Sequence, residues 1–393
     1  MGERWSAAAR AGFCVAAMAA AGFLAASAEA CDLHAADAGK AGPGCAQAWM
    51  DRNLRLNDIQ TVGTHNSYHM RTPPPVMALI RGVAPKGWQG LDYGHPPLAA
   101  QLDDGARAIE LDLVYDPVGG RFAHPAGLKL TGMPEDPAYV AAMSKPGFKV
   151  LHIQDVDFHS SCLTFKACLT ILRDWSRAHP RHVPILITMN TNDEKSHAPG
   201  GVDELPFTEQ AYDALDAEIR QVFSPRELIT PDEVQGRYPT LREAVLKHGW
   251  PTLGASRGRF LFALDEPPKH IAAYRGQRRS LEGRVLFVYT DEASPASGYI
   301  TLNDHADDAR ITADVKAGLV VRTRADGDTV EARSGDTARR DDAFKSGAQY
   351  ISTDYRHPEP GFTDYQVRLP AGAIAICNPV RAAGKCAGIP IEP

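Results

Sequence analysis

The sequence predicts an α/β protein built as a closed (β/α)8 barrel, the TIM-barrel architecture. Short apolar runs alternate with amphipathic helical patterns through residues 55–357, and eight such runs can be counted there. Buried strands separated by helices are the pattern of a parallel sheet, and eight units in about 300 residues suit a barrel. No Gly-x-Gly-x-x-Gly follows any of the runs, which argues against an open dinucleotide-binding sheet and a nucleotide cofactor.

The predicted strands are Ile59–Gly63, Ala106–Val114, Lys149–Ile153, Val183–Met189, Phe260–Leu264, Val285–Tyr289, Gly318–Arg322 and Tyr350–Thr353. Helical spacing marks Leu163–Ala178, where Leu163, Ala167, Ile171, Leu172 and Trp175 share one side. Thr208–Val222 repeats the pattern with Ala211, Leu215, Ile219 and Val222. Pro268–Arg275, Ala306–Lys316 and Asp336–Lys345 complete the set. Ahead of these, Arg4 and Arg10 accompany the small-residue run Ala11–Ala26, which ends in Ser-Ala-Glu-Ala. Residues 1–30 are therefore expected to be a cleaved signal peptide, leaving residues 31–393 as one exported catalytic domain, periplasmic or extracellular. Cys14 would leave with the signal. The other six cysteines allow fifteen connectivities, and an exported chain favours disulfides between near neighbours: Cys31 with Cys45, Cys162 with Cys168, Cys377 with Cys386.

Charge narrows the function. Lys and Arg number 42 against 48 Asp and Glu, with no basic block, which argues against nucleic-acid binding. In a barrel, chemistry gathers where strands end. The predicted ends offer Thr64-His65-Asn66, Glu110 with Asp112, Gln154-Asp155, Asn190, Asp265-Glu266, Asp291, Arg322 and Asp354.

Glu110 and Asp112 stand at i and i+2, so both carboxylates leave the same face of their strand. Buried together they repel one another unless a cation intervenes, and a hard divalent metal with oxygen ligands answers that need. Neighbouring strands lie about 4.8 Å apart, which lets Asn66 contribute a neutral oxygen to the same ion. His65 and His124 each follow a strand. Two histidines beside one hard metal suit phosphoryl transfer, one handling the attacking hydroxyl and the other the leaving group.

Thr64-His65-Asn66-Ser67-Tyr68, then Glu110-Leu-Asp112, then His124, resemble the calcium-dependent phosphoinositide-specific phospholipase C family, most of all its small secreted bacterial branch. Leu-Val-Val-Arg322-Thr-Arg324-Ala-Asp326 and Ser-Gly-Ala-Gln-Tyr-Ile-Ser-Thr-Asp354-Tyr extend the resemblance. It implies a barrel that cleaves phosphatidylinositol at a membrane surface, with Ca2+ as cofactor and diacylglycerol and an inositol cyclic phosphate as products. By the same resemblance His65 and His124 are the catalytic pair, and Asn66, Glu110 and Asp112 are calcium ligands. The family's fourth ligand is a later carboxylate. Here that position resembles Asn190, with Asp155 the other candidate. Arg322 is the candidate for a further phosphate contact. The absence of an equivalent to the family's ring-phosphate lysine points to an unphosphorylated head group.

A glycerophosphodiester phosphodiesterase or related phospholipase D-like barrel is the alternative enzyme, since those also combine two histidines, a Glu-x-Asp pair and a divalent metal. They resemble His-Arg at the first strand end, where this chain has His65-Asn66. A non-catalytic barrel that binds at a surface is the alternative of a different class. Trp88, in the long loop after the first strand, is a candidate for touching a bilayer or for packing.

Overall fold

The parallel strands point their C-terminal ends toward one rim, where the polar residues collect. The computed structural model describes residues 30–247, 249–304 and 307–392, so all but the last residue of the predicted signal peptide lies outside the described residues. Ten strands are present among them: β1 (Ile59–Thr64), β2 (Ala108–Val114), β3 (Lys149–Val150), β4 (Ile185–Asn192), β5 (Phe260–Leu264), β6 (Leu286–Val288), β7 (Tyr299–Thr301), β8 (Val320–Arg324), β9 (Tyr350–Thr353) and β10 (Ala375–Cys377). Their ladders form two five-stranded sheets, in the orders β10-β1-β9-β8-β7 and β3-β2-β4-β5-β6. The ladders are parallel except where β10 joins β1 and β3 joins β2.

The architecture is thus α/β with parallel strands, but its ladders do not run unbroken round the eight-stranded barrel that the sequence predicts. The sheets meet at two seams. Between β6 and β7 the strands are only three residues long, and an isolated parallel bridge, Tyr289 to Tyr299, is what connects them. Between β1 and β2, two backbone bonds cross: Arg107 N to Val62 O at 3.0 Å and Ser67 N to Glu110 O at 3.0 Å. Gly63 permits this approach, because a Cβ there would stand 2.1 Å from the Ala108 carbonyl oxygen.

Two expectations about strands fail for local reasons. Lys149–Ile153 is not a strand of the parallel set. Two of its residues pair antiparallel with the end of β2, Leu113 to Val150 and Val114 to Lys149. Its apolar look comes from burial in a loop, where Lys149 Nζ is held 3.0 Å from Asp116 Oδ2. The strands that the pattern misses are β7 and β10, each of three residues, too few to show periodicity.

The helices behave more simply. Phe165–Ala178 begins after Thr164, whose side chain accepts from Ala167 N, and Glu209–Val222 begins after Thr208, which caps Ala211 N. Pro268–Arg275 falls as predicted, with proline in its first turn. Asp308–Ala317 and Ala338–Ser346 lie within two residues of expectation where described. Cys31–Cys45, Cys162–Cys168 and Cys377–Cys386 are the disulfides of the structure. Trp88 is half-buried beneath Arg81, 3.9 Å from its ring, and packs at a loop surface.

At the opposite end from the polar rim, the chain terminus is folded in. Arg107 is 2% exposed and forms a bidentate pair with Glu392, whose Oε2 also accepts from Val183 N at 2.9 Å. Removing one partner of a buried pair strands the other charge, at a cost of about 3 kcal/mol or more. Glu392→Ala should therefore lower unfolding free energy by about 3 kcal/mol in urea melts. A loss near zero would show that Arg107 is satisfied without the terminus.

Candidate active site

The rim begins with the turn after β1. Asn66 has a φ of 43°, the left-handed region that asparagine tolerates better than most residues. Ser67 Oγ accepts from Glu110 N at 2.9 Å, while Gln101 Nε2 donates to the carbonyls of Ser67 and Pro96, both at 2.6 Å. The turn is thereby tied to β2 and held from behind.

It delivers His65 to a buried carboxylate. His65 Nδ1 lies 2.8 Å from Asp354 Oδ1, just beyond β9, and Arg324 Nη2 donates to Asp354 Oδ2 at 3.0 Å. On the far side of the ring, Arg324 Nη1 is 3.3 Å from Nε2 and Glu110 Oε1 is 3.9 Å from it. Burial and then the Arg324 guanidinium lower the His65 pKa, against the opposing pull of Glu110 and Asp354. Burial opposes charge on Asp354 too, yet His65 and Arg324 hold its carboxyl well below the usual range. With Asp354 ionised, Nδ1–H donates to it and Nε2 keeps its lone pair.

A second histidine reaches the same cavity, and it is not His124. The His124 side chain is 63% exposed and pairs with Glu135 at 2.7 Å, away from the rim. The helix Ala126–Thr131 follows it directly and keeps this stretch in a surface loop. In its place stands His152. The segment after β3 doubles back through reciprocal bonds between Ile153 and Asp157, at 3.1 and 2.9 Å. That brings His152 Nδ1 within 2.8 Å of Asp157 Oδ2. Asp157 is fully buried and is also met by His69 Nε2, at 3.0 and 2.9 Å, and by Thr72 Oγ1 at 2.6 Å. His69, His152 and Asp157 form a cluster compact enough for a metal ion, but hydrogen bonds already join its ligand atoms. Burial disfavours the His152 cation, yet the hydrogen bond and charge of Asp157, helped by Asp112, outweigh it and raise its pKa to about 9.

His65, Asn66, Glu110, Asp112, Asn190 and His152 line one cavity of about 300 Å3, with Gln154, Asn192 and Glu204 on its remaining wall. Asp112 faces Asn190 across the β2–β4 ladder. Asp112 Oδ1 and Asn190 Oδ1 are both buried without a hydrogen-bond partner. Tyr68 lies near the Asp112 carboxylate without completing a bond to it. Burial lifts the Asp112 pKa to about 7, with Glu110 adding to the rise and His152 opposing it. Two orphaned oxygens beside Glu110 and Asn66 make an all-oxygen donor set of the kind that hard divalent cations take.

Two other predicted residues are committed elsewhere. Asp155 has a φ of 74°, and its carboxylate accepts from Ala126 N, Ser196 Oγ and Val202 N at 2.9, 2.6 and 2.8 Å. It fastens three loops together and is not on the cavity wall. Arg322 is 2% exposed, pairs with Glu110 Oε2, donates to Asn303 Oδ1 at 2.8 Å and stays off the cavity wall. It neutralises Glu110 from outside the cavity wall and is not placed to contact a ligand there.

Sequence reasoning missed His152, Asp157 and the pairing of Asp354 with His65. The signal was present in Val-Leu-His152-Ile-Gln-Asp-Val-Asp157, a histidine that leaves an apolar run just as His65 does.

A family model described as Phosphoinositide phospholipase C, Ca2+-dependent, matches residues 54–379. The chain belongs to that family. The fold is similar to a solved structure of a calcium-dependent phosphoinositol-specific phospholipase C from a Pseudomonas species, described as a myoinositol complex. The identity is 16% and the TM-score 0.52, covering 83% of this chain and 96% of that one. A second crystal form of that enzyme gives 15% and 0.53, with 84% and 96% covered. No curated protein matches the chain.

The His152–Asp157 pair makes a pH prediction. A histidine pKa raised from 6.5 to about 9 stabilises the fold fully below pH 6.5, and that contribution is lost as pH rises through about 9. Asp157→Asn removes the largest of the groups that raise the His152 pKa, so its folded value moves back down. The wild type should lose more stability than Asp157→Asn between pH 6.5 and 9.5 in parallel urea melts. Equal losses would place the His152 proton elsewhere.

Proposed function

We propose that this chain is a calcium-dependent phospholipase C that cleaves phosphatidylinositol at a membrane surface into diacylglycerol and an inositol cyclic phosphate. The observation that carries the proposal is the pair of histidines in one cavity, each on its own buried aspartate, with pKa values displaced in opposite directions. Groups tuned apart in this way are the mark of a base and an acid.

In this reading the inositol 2-hydroxyl attacks phosphorus and gives its proton to His65 Nε2. The phosphorus–glycerol oxygen bond breaks, and His152, protonated at rest, donates a proton to the departing oxygen. Asp354 and Asp157 fix the two rings and stabilise their cationic forms. Arg324, which does not line the cavity, acts through His65 and Asp354, and the phosphate contact expected of Arg322 is left to calcium. Calcium held by Asn66, Glu110, Asp112 and Asn190 would supply positive charge that screens the phosphate and favours the hydroxyl's ionisation. Neither lysine nor arginine is among the described residues that line the cavity, which suits an unphosphorylated inositol ring. We further propose that the two sheets act as a closed (β/α)8 barrel through their seams, and that residues 1–30 direct export and are removed. No helix among the described residues is long and apolar enough to cross a membrane.

Product analysis on phosphatidylinositol vesicles, with calcium and then with chelator, tests this directly. Calcium-dependent release of diacylglycerol and inositol cyclic phosphate is expected. Turnover that survives chelation would remove the metal from the account, and hydrolysis of glycerophosphodiesters alone would replace the substrate. His65→Asn and His152→Asn should each lower kcat by about 10²–10⁴-fold, while His124→Ala stays within about twofold. A large loss in His124→Ala would restore that residue to the chemistry.

A further inference from the structure

A second cavity of about 390 Å3 opens beside the catalytic one, and Ile153 and Gln154 line both. The two differ in chemistry. Carboxylates, amides and imidazoles surround the first, whereas the second is walled by aliphatic side chains, including Ile80, Val83, Leu130 and Val156. Two of its apolar side chains stay open to solvent: Val83, at the end of the helix Pro74–Val83, is 76% exposed and Leu130 is 45% exposed. Lys86 and Lys129, close along the chain to the lining residues Ala84 and Leu130, are exposed and form no ion pair with described residues.

A polar cavity that shares two wall residues with an apolar one, with unpaired ammonium groups close along the chain, is complementary to an amphiphile with an anionic junction. We infer that the apolar cavity takes up part of one acyl chain of the phospholipid whose head group occupies the catalytic cavity. The inference rests on the proposed catalytic reading, since the chain that enters belongs to the diacylglycerol leaving group. Ligand pockets span roughly 300–1,000 Å3, so a cavity at the small end of that range holds a segment of one chain. The consequence is selectivity for acyl length in a dissolved substrate, in addition to any attraction to a bilayer surface.

Monomeric phosphatidylinositols with short acyl chains, kept below their micelle concentrations, separate uptake from surface binding. Each methylene drawn into the cavity should raise kcat/KM roughly fourfold until the cavity is full, after which the dependence levels off. Ala198→Trp adds an indole to a lining residue that is half-buried in a loop. It should flatten the dependence while leaving turnover of an acyl-free aryl ester of inositol phosphate unchanged. A flat dependence in the wild type overturns the inference. So does Ala198→Trp with its dependence intact while Val83→Asp weakens only vesicle binding, which would make the patch a membrane contact. Equal loss on both substrates in Ala198→Trp, with the dependence intact in Val83→Asp, overturns it as well. If the wild type turns over neither inositol ester, the catalytic reading fails by itself. Binding of 11-(dansylamino)undecanoic acid then decides the cavity: fluorescence enhancement lost in Ala198→Trp supports acyl uptake, and no enhancement excludes it.

Discussion

Glu110 and Asp112 are buried two residues apart on one face of β2, and much of the rim exists to make that tolerable. Bringing a carboxylate out of water costs several kcal/mol even after relaxation, and a second one beside it adds repulsion. Arg322 answers Glu110 from below and is itself shared with Asn303. Asp112 receives no guanidinium or ammonium from the described residues, and one of its oxygens is unpartnered. The strand therefore carries a charge deficit at one defined place, next to Asn66 and Asn190. A hard cation resolves it, and the deficit sets where one can bind.

The same accounting explains why the two histidines differ. Each has a buried aspartate, so the aspartates alone would raise both pKa values. What separates them is the third party. His65 shares Asp354 with Arg324, a cation that disfavours further positive charge. His152 shares Asp157 with His69 and Thr72, and it also feels Asp112 without a guanidinium to offset it. One arginine thus sets apart two histidines built on the same motif, helping to lower one pKa where the other is raised.

How much of this was legible in the sequence depends on whether the relevant contact is local. β5, β9 and the helix Pro268–Arg275 declare themselves through apolar runs and a proline start. Glu110 and Asp112 are legible for the same reason, because i and i+2 on a strand share a face. Asn66 follows from its place beside them. His124 misled because it follows β2 in sequence, while the loop it occupies runs outward. His152 arrives by a reversal between residues 153 and 157 that periodicity does not encode. Asp155 shows how one backbone angle redirects a plausible ligand: its positive φ turns the carboxylate into three loops. Arg322 was expected at a strand end but lies in the middle of β8, which runs on to Arg324, and strand register cannot tell a side chain that faces a ligand from one that supports a neighbour.

The pairing of β1 with β9 and β10 has a consequence in time. His65 and Asp354 are 289 residues apart along the chain, and Arg107 and Glu392 are 285 apart. Contacts so distant close late, because the loop between them must be ordered first. The His65–Asp354 pair therefore depends on a contact between a strand made early in synthesis and one made late. A ribosome-bound or partly folded chain would hold Asn66, Glu110, Asp112 and His152 but leave His65 without its aspartate.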